Sequence, residues 1–281
     1  MKVIRSPIQL RLQVKRFRTK GETIGFVPTM GALHGGHLPL IRRARKECDR
    51  VIVSIFVNPL QFGPREDYRR YPRTFFSDVS LLQKEKVDIL FFPSVKTMYP
   101  DLFSATVTVN GLSERLCGAF RPGHFQGVAT ACTKLFNLVQ PDTVYFGGKD
   151  YQQTRIIDRL LNDFDFNIRL KVLPTVREKN GLAMSSRNRY LSSRERKKAL
   201  LLSKALIAGG ALIQGGEKSV LRVLSRMKSI LKDPAVRVDY VSIVDPKTLE
   251  EVSRFRGKVL LAVAARIGKT RLIDNILVRG S

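Results

Sequence analysis

The sequence predicts an α/β fold, with a parallel sheet covered by helices on both faces and a smaller α+β domain behind it. Three observations predict it. Short runs such as Thr23 to Pro28 (TIGFVP) and Val51 to Val57 (VIVSIFV) are apolar throughout instead of alternating, which marks strands buried on both faces. Stretches of helical periodicity separate these runs, so successive strands run parallel. After Pro174 the texture turns polar and basic, as expected at a domain boundary.

Taken in order, the strand Thr23 to Pro28, a helix beginning near Gly36 and the strand Val51 to Val57 form a β-α-β unit. The alternation continues with a helix over Asp78 to Lys86, a strand at Asp88 to Phe92, a helix over Val128 to Val139 and a strand at Thr143 to Phe146. In such a Rossmann-like sheet, ligands bind outside the carboxyl ends of the strands, and each of these strands ends in a distinctive loop. Behind the basic stretch Arg177 to Arg189 come helical patterns at Ser192 to Gln214 and Ser219 to Leu231, then strands at Arg237 to Val244 and Lys258 to Ala265. The boundary is expected near Thr175. It divides a nucleotide- and substrate-binding domain, residues 1–175, from a smaller domain, residues 176–281, expected to act as a lid.

Composition agrees with two soluble domains: 281 residues, 43% hydrophobic and 26% charged, with no internal repeat. Met1 to Gln9 lacks the apolar core of a signal peptide, and no run approaches the roughly 18 apolar residues that cross a bilayer. A cytoplasmic location and no membrane partner are expected. Cys48, Cys117 and Cys132 are widely spaced and form no CxxC pair, which argues against a disulfide framework or a zinc site. The net charge of +26 raises the question of a nucleic-acid partner. Yet residues 1–175 carry 27 basic and 15 acidic groups and residues 176–281 carry 23 and 9, so the charge is spread along the chain with no basic arm. It reads as a solvated surface that also steers anionic substrates.

The segment PTMGALHGGH, Pro28 to His37, follows a strand and opens a helix, and it sets two imidazoles three residues apart. A helix N-terminus offers backbone N–H groups and the positive end of its dipole to phosphate, and Gly31, Gly35 and Gly36 let a polyphosphate approach the main chain. Histidine donors there suit charge developing on an α-phosphate and a departing pyrophosphate. His37 is also in helical phase with Ile41, Ala44 and Cys48, so a core role is the competing reading. Two of only three histidines in one glycine-rich turn favour the phosphate site.

A strand, a glycine-rich HxGH turn and a helix together resemble the adenylate-forming signature of class I aminoacyl-tRNA synthetases and related nucleotidyltransferases. A second, basic signature is expected downstream, and GLAMSSRN, Gly181 to Asn188, fits that slot as a mobile-looking polar loop. With FVNPLQF (Phe56 to Phe62), RPGHFQG (Arg121 to Gly127), GGKDYQQ (Gly147 to Gln153) and PTVREKN before GLAMSSRN, the chain resembles the pantothenate synthetase family over essentially its whole length. Gly148 and Cys117 depart from residues found in some members.

The resemblance implies a ligase that makes pantoyl-adenylate from pantoate and ATP, then passes the acyl group to β-alanine. It implies that Met30, Gly31, Ala32, Leu33, His34, Gly35, Gly36 and His37 hold ATP, with His37, His34 and Lys149 catalytic. Gly147, Gly148, Lys149 and Asp150 match ribose and phosphate contacts, and Val176, Met184, Ser185, Ser186 and Arg187 match contacts to adenine and phosphates. Gln61 and Gln153 match the pantoate glutamines, Gln61 also lying near β-alanine. Neutral amides suit this task, because they orient a carboxylate without neutralising the nucleophile. Mg²⁺ is expected to arrive bound to ATP, with Asp78 and Asp150 as candidates for outer contacts, and a homodimer is implied. Two rivals are a nucleotidyltransferase that stops at adenylyl transfer and a basic nucleic-acid-binding protein.

Overall fold

The computed structural model describes residues 1–64 and 66–280. These residues form two compact units. The first comprises Met1–Ser113, Arg121–Gly148 and Gln153–Pro174, and the second takes Glu114–Phe120, Lys149–Gln152 and the chain from Thr175 onward. Two short segments read in the sequence as part of residues 1–175 thus belong to the second unit. One reason is that Gln152 accepts from the Cys117 N–H and donates to the Arg115 carbonyl.

In the first unit a six-stranded parallel sheet has the order β1-β4-β3-β2-β5-β6. Its strands are β1 (Lys2–Ile4), β2 (Ile24–Thr29), β3 (Arg50–Ile55), β4 (Ile89–Phe91), β5 (Thr143–Gly147) and β6 (Arg169–Leu173). The helices that follow these strands along the chain are α1 (Pro7–Arg18), α2 (Leu38–Glu47), α3 (Phe75–Lys84), the short α4 (Val95–Met98) and α5 (Cys117–Phe120), α6 (His124–Val139) and α7 (Tyr151–Asp163), of which α5 and the first two residues of α7 belong to the second unit. Strand β2 shows why both faces are covered. Phe26 meets Phe136 of α6 edge to face with ring centroids 6.4 Å apart, while its neighbour Val27 packs in the cluster of Leu40, Ile41 and Ala44 from α2. Successive side chains on a strand point to opposite faces, so both layers must be apolar.

The amino ends of the strands are fastened by aspartates. Asp49 accepts from the Thr23 N–H and hydroxyl at 2.8 and 2.6 Å, and Asp142 accepts from the Ile24 N–H at 2.6 Å while pairing with Arg18. Asp88 takes the Val51 N–H at 2.8 Å and pairs with both Arg45 and Arg50.

The second unit has an antiparallel sheet in the order β7-β8-β9, formed by Val236–Val244, Lys258–Ile267 and Thr270–Arg279. The helices α8 (Ser193–Gln214) and α9 (Val220–Ile230) pack on it, with Leu202, Leu206, Val223 and Met227 meeting Leu261 and Val263. A capping box starts α8: Ser192 accepts from the Glu195 N–H, and Glu195 accepts from the Ser192 N–H. The sequence pattern does not mark β1, α1, β6, α7 and β9. Among the described residues, no helix is long and apolar enough to cross a membrane.

Candidate functional site

Sheet order locates the crevice. From β2 the chain moves to β3 on one side, while β5 lies on the other, so connections leave the β2/β5 pair in opposite directions. Ligands of open parallel sheets sit at that point, outside the carboxyl ends. The turn after β2 is the glycine-rich segment.

That turn is built tightly. Gly31 has φ +79°, and a Cβ there would lie 2.8 Å from Ile55 Cγ2, so glycine is required by both conformation and space. Ala32 follows at φ +50°, an uncommon state for a residue with a side chain. It is held there by Asp78 of α3, 2% exposed, whose Oδ2 accepts from the Ala32 N–H and Oδ1 from the Leu33 N–H, both at 2.9 Å. Thr74 also donates to Oδ1. The oxygens of Asp78, a sequence candidate for an outer contact to Mg²⁺, are thus engaged in bracing the main chain.

His34 and His37 come together, with ring centroids 4.3 Å apart. The His34 N–H donates to His37 Nδ1 at 3.2 Å, and the Gly36 N–H donates to His34 Nδ1 at 3.0 Å. Both Nδ1 atoms therefore accept, and each neutral ring carries its proton on Nε2. His37 is the N-cap of α2, and its carbonyl accepts from Leu40 and Ile41. It is half-buried at the helix entrance, whereas Ile41 and Ala44 are fully buried. The first turn of α2 contains no acidic residue to compete for an anion.

The turn after β3 is a single 3₁₀ turn, Pro59–Gln61, capped by Asn58, which accepts from the Leu60 N–H. It brings Gln61 to Met30: Gln61 Nε2 lies 3.2 Å from Met30 Sδ. Met30, Gly31 and Ala32 also line a cavity of about 200 Å³ with Val57, Tyr68, Arg73 and Phe92.

After β5, Gly148–Asp150 form a 3₁₀ turn and Gln153 lies in the first turn of α7, where the sequence suggested a loop. Gly147, Gly148 and Gln153 belong to the first unit. Lys149 and Asp150 belong to the second, where Lys149 Nζ is 3.3 Å from Asp150 Oδ1 and the Lys149 carbonyl accepts from Asn275 Nδ2. Also in the second unit, the Met184 N–H donates to the Val176 carbonyl, Arg177 bridges to Ala183, and the Arg177 guanidinium pairs bidentately with Asp274. The polar segment read as a loop contains a short helix: Ser185 caps a 3₁₀ helix, Ser186–Tyr190, in which Ser186 and Asn188 are buried. Asn188 is tied to Glu178 and the Ala183 carbonyl. Among the described residues, no three His, Cys, Asp or Glu side chains are grouped to hold a metal ion.

A model of the family described as pantoate–β-alanine ligase matches residues 2–277. The chain belongs to that family. It is 54% identical over 280 residues to a pantothenate synthetase of Thermodesulfovibrio yellowstonii, covering 99% of this chain and 100% of the relative. A crystal structure of pantothenate synthetase from Thermus thermophilus superposes with a TM-score of 0.94 at 47% identity, covering 98% of this chain and 99% of that one. A pantoate–β-alanine ligase from Francisella tularensis, crystallised with a β-γ ATP compound and β-alanine, gives a TM-score of 0.81 at 35% identity over 99% of this chain and 97% of that one. The pantoate–β-alanine ligase fold therefore extends over both units.

Proposed function

We propose that this chain condenses pantoate with β-alanine, using ATP and forming pantoyl-adenylate, AMP and pyrophosphate. The observation that carries the reading is the turn Met30–His37, where two adjacent imidazoles stand at the entrance of α2 beside the β2/β5 crevice. In the first step a pantoate carboxylate oxygen bonds to the α-phosphorus and the bond to the β-phosphate oxygen breaks. Charge moves onto the α-phosphate oxygens and the leaving pyrophosphate, where Nε2–H groups of His37 and His34, the α2 dipole and Lys149 are proposed to act. In the second step the β-alanine amine attacks the acyl carbon, the acyl–phosphate bond breaks, and AMP leaves as the amine loses a proton.

Pantoate is assigned to Gln61 and Gln153, with Gln61 also near β-alanine. ATP is assigned to Met30, Gly31, Ala32, Leu33, His34, Gly35, Gly36, His37, Gly147, Gly148, Lys149, Asp150, Val176, Met184, Ser185, Ser186 and Arg187. Mg²⁺ is proposed to enter on the ATP phosphates, an arrangement that needs no dedicated cage of carboxylates. We further propose a cytoplasmic homodimer, to be checked by light scattering against the 31.8 kDa chain mass.

The test is AMP formation with ATP, Mg²⁺ and pantoate, with and without β-alanine. AMP release that requires β-alanine supports the ligase. Adenylyl transfer indifferent to β-alanine would replace it with a plain nucleotidyltransferase.

A further inference from the structure

The third histidine of the chain lies in RPGHFQG, a segment to which the proposed reaction assigns no part. It sits at the start of α6, and its surroundings converge on Gln61. Arg121 is gripped by Glu66: Nε donates to Oε1 at 2.6 Å and Nη2 to Oε2 at 2.7 Å. Burial disfavours the Glu66 carboxylate, but the hydrogen bonds and charge of Arg121 outweigh it and hold the carboxyl below its ordinary range. Arg121 Nη2 also donates to the Gln61 carbonyl at 3.2 Å, and Nη1 lies 2.9 Å from His124 Nε2. His124 Nδ1 is 2.8 Å from the same Gln61 carbonyl.

These contacts fix a tautomer. A guanidinium has donors only, so His124 Nε2 accepts and the ring proton sits on Nδ1, donating to Gln61. This is opposite to the tautomer of His34 and His37. The Gln61 side chain is held separately: Asn58 Nδ2 donates to its Oε1 at 3.1 Å and to the Gly127 carbonyl at 2.9 Å, while Tyr99 fixes the Asn58 amide by donating to Oδ1. Gly127 permits this closeness, since a Cβ there would lie 2.3 Å from the Leu60 carbonyl oxygen.

We propose that Glu66, Arg121 and His124 are positioning residues for pantoate, holding the main chain of Gln61 through a neutral Nδ1–H imidazole. The proposal rests on the assignment of Gln61 to pantoate. An ordered amide presents one rotamer to the substrate, so loosening its backbone weakens pantoate capture and leaves ATP capture intact.

Two measurements test it. Nitrogen-15 spectra of the unaltered protein at neutral pH, with the His124 ring assigned by loss of its signal in His124→Asn, are expected to show the Nδ1–H tautomer. An Nε2–H tautomer or an imidazolium at that position overturns the proposal. In steady-state kinetics, His124→Phe and Glu66→Gln are expected to raise the KM for pantoate by about tenfold, with the KM for ATP within about twofold. His124→Asn, whose amide N–H takes the place of Nδ1–H, is expected to restore most of the loss. Gln61→Ala is run alongside. A normal pantoate KM in Gln61→Ala removes the assignment on which the proposal stands. A raised KM there with a normal one in natively melting His124→Phe refutes the positioning role alone. Should His124→Phe not fold, Glu66→Gln and the spectrum decide.

Discussion

The turn after β2 and the turn after β3 leave the same edge of one sheet, yet they are held by opposite means. The first is main chain braced from behind: Asp78 takes the N–H groups of Ala32 and Leu33. The second is one 3₁₀ turn clamped by side chains, with Asn58, Arg121 and His124 all bonded to Gln61. The difference follows the ligands proposed for each. A polyphosphate is recognised by N–H groups, the dipole and the two imidazoles of the turn, so support for the main chain comes from beneath. A single amide that orients a carboxylate needs one rotamer, and converging side chains supply that.

The largest expected effect tests whether the first turn does chemistry. His37→Ala and Lys149→Ala should each slow pyrophosphate release in a single turnover by on the order of 10²–10³, or about 3–4 kcal/mol, while supplied pantoyl-adenylate still reacts with β-alanine at a near-normal rate. A variant that formed the adenylate normally but failed to discharge it would reverse this division of labour. Next comes the brace itself. Asp78→Ala strands two buried N–H groups and should lower stability by about 3 kcal/mol in urea titration, raising the KM for ATP more than that for pantoate. Equal stability in the variant would mean that the turn holds itself.

A third expectation concerns acid. The folded value of Glu66 lies below its unfolded value, so the stability it contributes is full above about pH 5 and is lost as pH falls through the folded value. Glu66→Gln should therefore lose stability less steeply than the parent below about pH 5, and parallel acid melting curves would contradict the clamp's charge pairing. The smallest effect is expected from Arg194→Glu with Lys197→Glu, both exposed, which should leave the maximal rate within about twofold at moderate salt. Their neighbours are unsuitable for this control, because Arg196 pairs with Glu178 and Lys198 with Asp233.

Much of the architecture was legible because buried parallel strands are apolar throughout, as in Val51 to Val57. What escaped was weakly patterned. Strand β1 has three residues, α1 buries only Leu10 and Val14 among many basic residues, and the edge strand β6 has no fully buried residue. Helix α7 was hidden by its own motif, since GGKDYQQ reads as a loop although Ile156, Ile157, Leu160 and Leu161 carry helical spacing. In the site, the glycine-rich turn could be read because backbone chemistry leaves a local signature. The support of Gln61 could not, because Glu66 and His124 are 58 positions apart and only folding joins them to one carbonyl. Asp78 was noticed for its charge and not for its bonds: a lone carboxylate in a sequence does not say whether it faces a cation or an amide.

The aspartates at the amino ends of the strands bear on how this molecule tolerates revision. Asp49, Asp88 and Asp142 register β2 and β3 from the edge remote from the reactive turns. Randomised libraries confined to residues 58–62 would therefore explore new acids on a frame whose alignment is set elsewhere, whereas one exchange at Asp88 removes a partner from Arg45, from Arg50 and from the start of β3 together.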